Sequence, residues 1–289
     1  MTNTLLTTDS KSSTDSTAGT STGSYLIPRT LYGSLFKAMR RNLVMSALAA
    51  KRIGPESIPG SSIDIPMQKA GQTMYLSRVE QGDEIPLDVE EYSGFNLKPI
   101  KYGIRIGITE EMVEDSLFDV MSLNVETAGY IFALNEESLI VSTLDAGSTA
   151  AGHDVANSNA TLPITDITEA MQNLEEDNHI ATDIIVGAEV ANDLRNIDTF
   201  TEANKAGMND PSKRLIGKIF QMNVIQSNAV SAKLAYVIDR RFAFVIAEKR
   251  PLRIEKYKDY GRDTRYAVAT QRIAVRYLYE NAISEITTT

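Results

Sequence analysis

The sequence predicts a mixed α+β fold. Three observations lead there: one long amphipathic stretch at helical spacing over 117–144, β-forming runs on both sides of it, and no internal repeat in 289 residues. The apolar (43%) and charged (23%) fractions are ordinary for a folded protein, so the chain has apolar surface enough for a sizeable core.

Residues 1–24 are dominated by Ser, Thr, Gly and Asp, with Leu5 and Leu6 the only large apolar side chains. Such a stretch buries too little to offset its ordering entropy and is expected to be a floppy tail. It lacks the basic start and apolar core of a secretory signal. Over 25–52, Phe36, Met39, Leu43, Ala47 and Ala50 recur at helical spacing. This helix is expected to run to Gly54-Pro55, and from Arg29 to Arg52 it carries six bases, Arg40 and Arg41 among them, and no acid.

Residues 58–108 read as strands between Gly and Pro breakers, best arranged as a long hairpin with arms near 72–79 and 97–108. Its tip holds six acids (Glu80, Asp83, Glu84, Asp88, Glu90, Glu91) and no base. A hairpin of this length has too little core to stand alone. Thr109 then caps a helix opening on Glu110 and Glu111, where carboxylates suit the helix dipole. The long helix follows, with Leu117, Met121, Val125, Ala128, Phe132, Leu139 and Ile140 as its buried stripe.

The small residues of 146–163 read as a connector and domain boundary. Beyond it come a helix from Thr165 to about Asn178, a buried strand over 183–187, a helix over 188–197 and a polar loop over 198–212. Strand-like runs then dominate, at 223–226, 234–238, 242–247, 252–257 and 266–279. In the last, Ile273, Val275, Tyr277 and Tyr279 share one face by alternation.

Site chemistry is sparse. With no cysteine there is no disulfide and no thiolate metal site, which fits a reducing cytoplasm. Ser148, His153 and Asp154 hint at a nucleophilic triad, but small-residue loop sequence does not hold such groups in fixed geometry. No glycine loop cradles a phosphate, and the acids of 80–91 lack calcium-loop spacing. No catalytic residue, cofactor or metal ligand is therefore assigned. No stretch is long and apolar enough for a membrane helix. The net charge of −9 argues against broad phosphate-backbone binding. Charge segregation is the informative feature. The acidic tip is either a solvated loop or a docking element for bases elsewhere: Arg40 and Arg41, or the bases of 240–276. That second stretch in turn is an ordinary charged surface, a subunit contact or a nucleic-acid contact.

The order of these parts resembles the major capsid proteins of tailed double-stranded-DNA viruses, the Hong Kong 97-type fold, over nearly the whole chain. The resemblance rests on Ile63-Asp64-Ile65-Pro66, Glu84-Ile85-Pro86, the 98–108 return arm, the 110–116 stretch leading into the long helix, the 183–187 strand, and the closing 281–286 run. It implies a tail (1–24), an amino arm (25–57), an extended loop (58–108), a peripheral domain with a spine helix (109–150), an axial domain (151–248), and closing strands shared by both (249–289). It implies a homo-oligomer of pentamers and hexamers forming an icosahedral shell around DNA held without sequence-specific contact. A portal is implied, and a separate scaffold protein, because the short tail is no scaffolding segment. The loop stretch 80–94 has no lysine, which speaks against the isopeptide cross-link of some members. An encapsulin-type compartment shell shares the fold and is the alternative; a mixed α/β hydrolase would need a site constellation the sequence lacks.

Overall fold

The computed structural model describes residues 44–58, 60–68, 76–82, 84–116, 119–157, 161–196 and 215–288. The expectations for the tail, for most of the amino-terminal helix including Arg40 and Arg41, for Asp83, and for the 198–212 loop lie outside these residues.

Two sheets share one long helix. The six-stranded sheet contains β5 (Asp154–Ala156), β6 (Asp183–Val186), β7 (Leu215–Ile219), β8 (Met222–Gln226), β9 (Leu234–Ile238) and β12 (Ile283–Thr287), in the order β5-β12-β9-β6-β8-β7. Its central strand β6 is buried at every residue, as a run of β-formers with no alternation should be. Helices α3 (Ile164–Glu176) and α4 (Ala188–Asn196) cover one face with Ile167, Leu174, Val190 and Leu194 against Ile184, Val186, Val224 and Val237. Each such fully buried aliphatic side chain contributes about 1.5–3 kcal/mol. The other face (Ile185, Ile225, Tyr236, Ile238) packs on Ile140 and Leu144 of α2 (Val120–Ala151) and on Met45 and Leu48 of a 3-10 turn.

The four-stranded sheet has the order β1-β10-β11-β4, formed by β1 (Lys51–Ile53), β10 (Phe244–Asp259), β11 (Thr264–Tyr277) and β4 (Ile100–Thr109). The short helix α1 (Glu110–Asp115) and the start of α2 close its far end through Ile108, Met112, Val120, Met121 and Ala267. A separate two-stranded ribbon pairs β2 (Ile63–Gln68) with β3 (Tyr92–Leu97), Ile65 opposite Phe95. Gly94 lets the strands close up there, since a Cβ on it would sit 3.0 Å from the Ile65 carbonyl oxygen.

Several boundaries depart from the sequence reading. The hairpin is not built from 72–79 and 97–108. Its arms are β2 and β3, and 100–109 instead pairs with β11 over ten residues. Pro99, which has no N–H to give a ladder, falls at the junction where the chain changes sheets. The expected helix through Arg52 ends in the 3-10 turn Met45–Leu48 followed by β1, because β10 offers Lys51–Ile53 a strand partner. The long helix does not stop at 144. It runs to Ala151, capped by Asp119 at its start and by left-handed Gly152 (φ 74°) at its end. The small residues of 146–151 are a packing surface and not a connector: a Cβ on Gly147 would lie 2.7 Å from Ile283 Cδ1 and 3.5 Å from the Tyr277 ring. Finally, 242–247 and 252–257 form one strand, β10, whose register is irregular around Pro251.

Candidate subunit interface

What could perform chemistry in the interior is tied up in structure. Ser148 is fully buried at the end of α2. Its hydroxyl lies 2.7 Å from Asp154 Oδ1 and 3.1 Å from the His153 carbonyl, and it accepts from the Glu285 N–H at 2.9 Å. The His153 ring points elsewhere, with Nε2 3.3 Å from Asp177 Oδ2. Serine meets carboxylate directly and the imidazole serves a different acid, so a nucleophile–base–acid relay is not assembled. These groups are well ordered within α2 and β5, which replaces the loop argument with a geometric one. Burial pushes the neighbouring Glu285 carboxyl and Tyr236 hydroxyl up. Among the described residues no group of three or more His, Asp or Glu is placed to hold a metal ion. No helix among them is long and apolar enough to cross a membrane.

The end of the amino segment is fastened through two consecutive acids of α2. Glu137, almost wholly buried, accepts the Met45 N–H at 2.8 Å and also bonds the Val44 N–H and the Ser227 hydroxyl (3.4 Å). Burial raises its carboxyl above the usual range, and these three donors pull the other way. Glu136 holds Arg52 (3.0 Å), and Arg52 also reaches Glu248 of β10 (3.2 Å). Burial works against the Arg52 charge, while Glu136 and Glu248 outweigh it and raise its pKa. Arg240 adds a bond to the Ala47 carbonyl. One turn of α2 thereby joins the amino segment to both sheets.

The acidic segment lies apart from this core. Beyond the ribbon, described residues in 76–91 form no helix or strand. Glu80, Glu84, Asp88 and Glu91 are exposed, and Glu90 is half-buried. The structure thus gathers the predicted acids on one outreach, and their expected partners Arg40 and Arg41 lie outside the described residues. Sequence reasoning missed the apolar side chains interleaved with those acids: Ile85 is 78% exposed, Leu87 93% and Val89 66%. Their period-two spacing was the available signal. Large apolar groups this exposed are uncommon unless something covers them.

The second charged region is the distal half of the β10–β11 hairpin. Residues 251–257 of β10 are all exposed, Arg253 and Lys256 among them. At the far end Glu110 is bound by Arg265 (Nε to Oε2, 2.7 Å) and Lys258 (3.5 Å), and Lys258 also meets Asp263 (3.0 Å). The Arg265 hydrogen bond, followed by the local charges, holds the Glu110 carboxyl below its ordinary range despite some desolvation. On the open face Tyr257 stacks on Tyr266 (5.1 Å) beneath Arg105 (5.0 Å from the Tyr266 ring).

A fold with two sheets on a common helix, an outreach without its own core and an interior without an assembled reactive site defines a structural, shell-building class of protein. The model of the phage capsid family matches residues 23–287, and the chain belongs to that family. Solved structures agree on the fold. A Microbacterium phage Oxtober96 chain superposes with a TM-score of 0.68 at 14% identity, covering 93% of this chain and 98% of that one. The capsid of cyanophage P-SCSP1u gives 0.70 at 14% identity (92% and 94%), and the mature capsid of bacteriophage PhiM1 gives 0.70 at 12% (91% and 92%). No curated protein matches the sequence. This is a major capsid protein with the Hong Kong 97-type fold, and the family match favours it over an encapsulin-type shell.

Proposed function

We propose that the subunit works by self-assembly alone, closing an icosahedral shell of pentamers and hexamers around double-stranded DNA in the virion, and catalyses no reaction. The observation that carries this reading is the outreach at 84–91, which presents Ile85, Leu87 and Val89 to solvent on a segment with no core of its own. A lone subunit has no use for such a surface, and a neighbouring copy supplies its cover. In this reading α2 with the four-stranded sheet is the peripheral domain, the six-stranded sheet with α3 and α4 is the axial domain, and 58–99 is the extended loop. Assembly takes place in the host cytoplasm with a separate scaffold protein and a portal. The acids Glu80, Asp83, Glu84, Asp88, Glu90 and Glu91 meet bases of the neighbour, on the amino arm at Arg40 and Arg41 or along 240–276.

The experiment is sedimentation and negative-stain microscopy of the full chain, expressed with and without the neighbouring scaffold gene. Uniform closed particles are expected. Reversing Glu84, Glu90 and Glu91 to Lys should leave the subunit folded and reduce particle yield. A chain that stays monomeric under all these conditions overturns the proposal.

A further inference from the structure

We infer that the 84–91 segment of one copy adds as a strand to the open edge of β10 in a second copy, over 252–259. The inference rests on the assembly reading above and names the receiving element and the mode of contact.

Three observations converge on this edge. First, β10 is sixteen residues long, yet among the described residues its outer side is paired only by β1, and only at Val245–Ala247. Beyond the irregularity at Pro251, the backbone N–H and C=O groups on that side form a ready template for another strand. Second, the chemistry matches on both faces. By alternation Leu252 and Ile254 share one face of β10; they are 37% and 38% exposed. In 84–91 the odd positions Ile85, Leu87 and Val89 form an apolar row and the even positions Glu84, Asp88 and Glu90 an acidic one. Laid side by side, the apolar rows meet while the acids fall among Lys249, Arg250, Arg253 and Lys256. Third, the lengths agree, since both 84–91 and 252–259 span eight residues.

Proline fixes the register face. Pro86 has no N–H, so the even-numbered residues must turn their backbone groups away from β10, and the odd ones supply the ladder. Charge attraction alone has no such odd–even rule. The basic residues on the β10 edge have a second consequence: they repel another copy of the same edge and so select an acidic strand over self-pairing.

The test uses the absence of cysteine from the chain. The double variant L87C/I254C, assembled into particles and oxidised, should give a ladder of disulfide-linked oligomers on a denaturing gel. A parallel series compares L87P with D88P, and L87A as the control that keeps its N–H. Proline at 87 removes a ladder donor and should cut particle yield roughly tenfold relative to L87A, the factor expected for one unsatisfied hydrogen-bond partner, while D88P stays near wild type. Particles that form without a ladder and tolerate both prolines equally overturn the strand addition and leave the assembly reading standing. A disulfide confined to single chains also overturns it, by showing that the segment folds back on its own β10. A wild-type chain that forms no particles defeats the assembly reading itself.

Discussion

Replacing Gly187 by Ala should unfold the six-stranded side of the molecule more than its size suggests. Gly187 sits between β6 and α4, where the chain must pass beneath the 231–232 turn. A Cβ there would lie 2.6 Å from the Ala232 carbonyl oxygen and closer still to that of Ser231, and both are backbone atoms that no rotamer change can move. The Ala232 carbonyl accepts the Glu189 and Val190 N–H groups at 3.1 and 3.2 Å, so it serves as the cap of α4. Relieving the clash pushes that turn away and breaks both bonds. At about 1 kcal/mol per bond, with about 1–3 kcal/mol of overpacking strain, Gly187→Ala should cost about 3–5 kcal/mol. Gly129, in the middle of α2 with nothing within 4 Å of its would-be Cβ, supplies the opposite sign. Gly129→Ala should stabilise by about 0.5–1 kcal/mol through helix propensity. Gly147 falls between: its obstacle at 2.7 Å is the Ile283 Cδ1, the far end of a flexible side chain, so Gly147→Ala should cost about 1–2 kcal/mol. Urea unfolding of the soluble subunit followed by circular dichroism ranks the three. A Gly187→Ala chain within about 0.5 kcal/mol of wild type would refute the idea that backbone crowding sets this position.

Glu137→Ala leaves the buried Val44 and Met45 N–H groups without their acceptor and should cost about 2–4 kcal/mol, with Glu137→Gln milder; protease cleavage within 44–53 should then precede global unfolding. His179 responds to acid. Burial lowers its pKa, with Arg241 and His153 adding to the lowering and Asp239 and Asp177 opposing it, so the folded state favours the neutral ring. Its contribution is complete above the unfolded value of about 6.5 and is lost as pH falls through the lowered folded value, so His179→Gln should flatten the stability loss below about pH 6.5. Asp239 titrates in a separate window. Burial would raise its carboxyl, but Arg241 and the Arg241 and Ile180 N–H groups outweigh that and hold it low, so its contribution fades only below about pH 4. Reversal of Glu84, Glu90 and Glu91 should be rescued by reversing Arg40 and Arg41 only where the amino arm is the partner, and rising salt should weaken wild-type assembly, as light scattering reads directly. The isolated subunit should bind duplex DNA weakly and without sequence preference; nanomolar binding at physiological salt would promote 240–276 to a nucleic-acid surface.

Elements with a strong local signal were legible from the sequence. The fully apolar run at 183–186, the amphipathic helix from 164 and the alternation of Ile273, Val275 and Tyr277 all appear where their periods put them. What failed depended on partners distant in sequence. Small residues at 146–151 look like a loop until Ile283 and Tyr277 are known to press against them. Likewise, 100–109 looks like the return arm of a local hairpin until β11, more than 160 positions later, claims it. For the candidate interface, the acids were visible as charge. The open edge of β10 was not, since an edge is a property of strand order and leaves no mark on the strand itself.

The ribbon's root has a mechanical meaning. Leu97 is buried at the base of β3, Phe95 lies under the Arg276 guanidinium at 5.0 Å, and the Pro99 carbonyl accepts from Arg272 at 3.4 Å, so the anchored end is held while the far end is not part of either core. The six paired residues of the ribbon act as a cantilever roughly 20 Å long, hinged at residues 98–99. A turn of about 10° at that hinge carries the free end about 3–4 Å, a distance comparable to one residue step along a strand. A closed shell asks chemically identical copies to meet their neighbours at unequal angles. Torsion gathered into two residues re-aims the arm for each local curvature, and neither sheet has to deform.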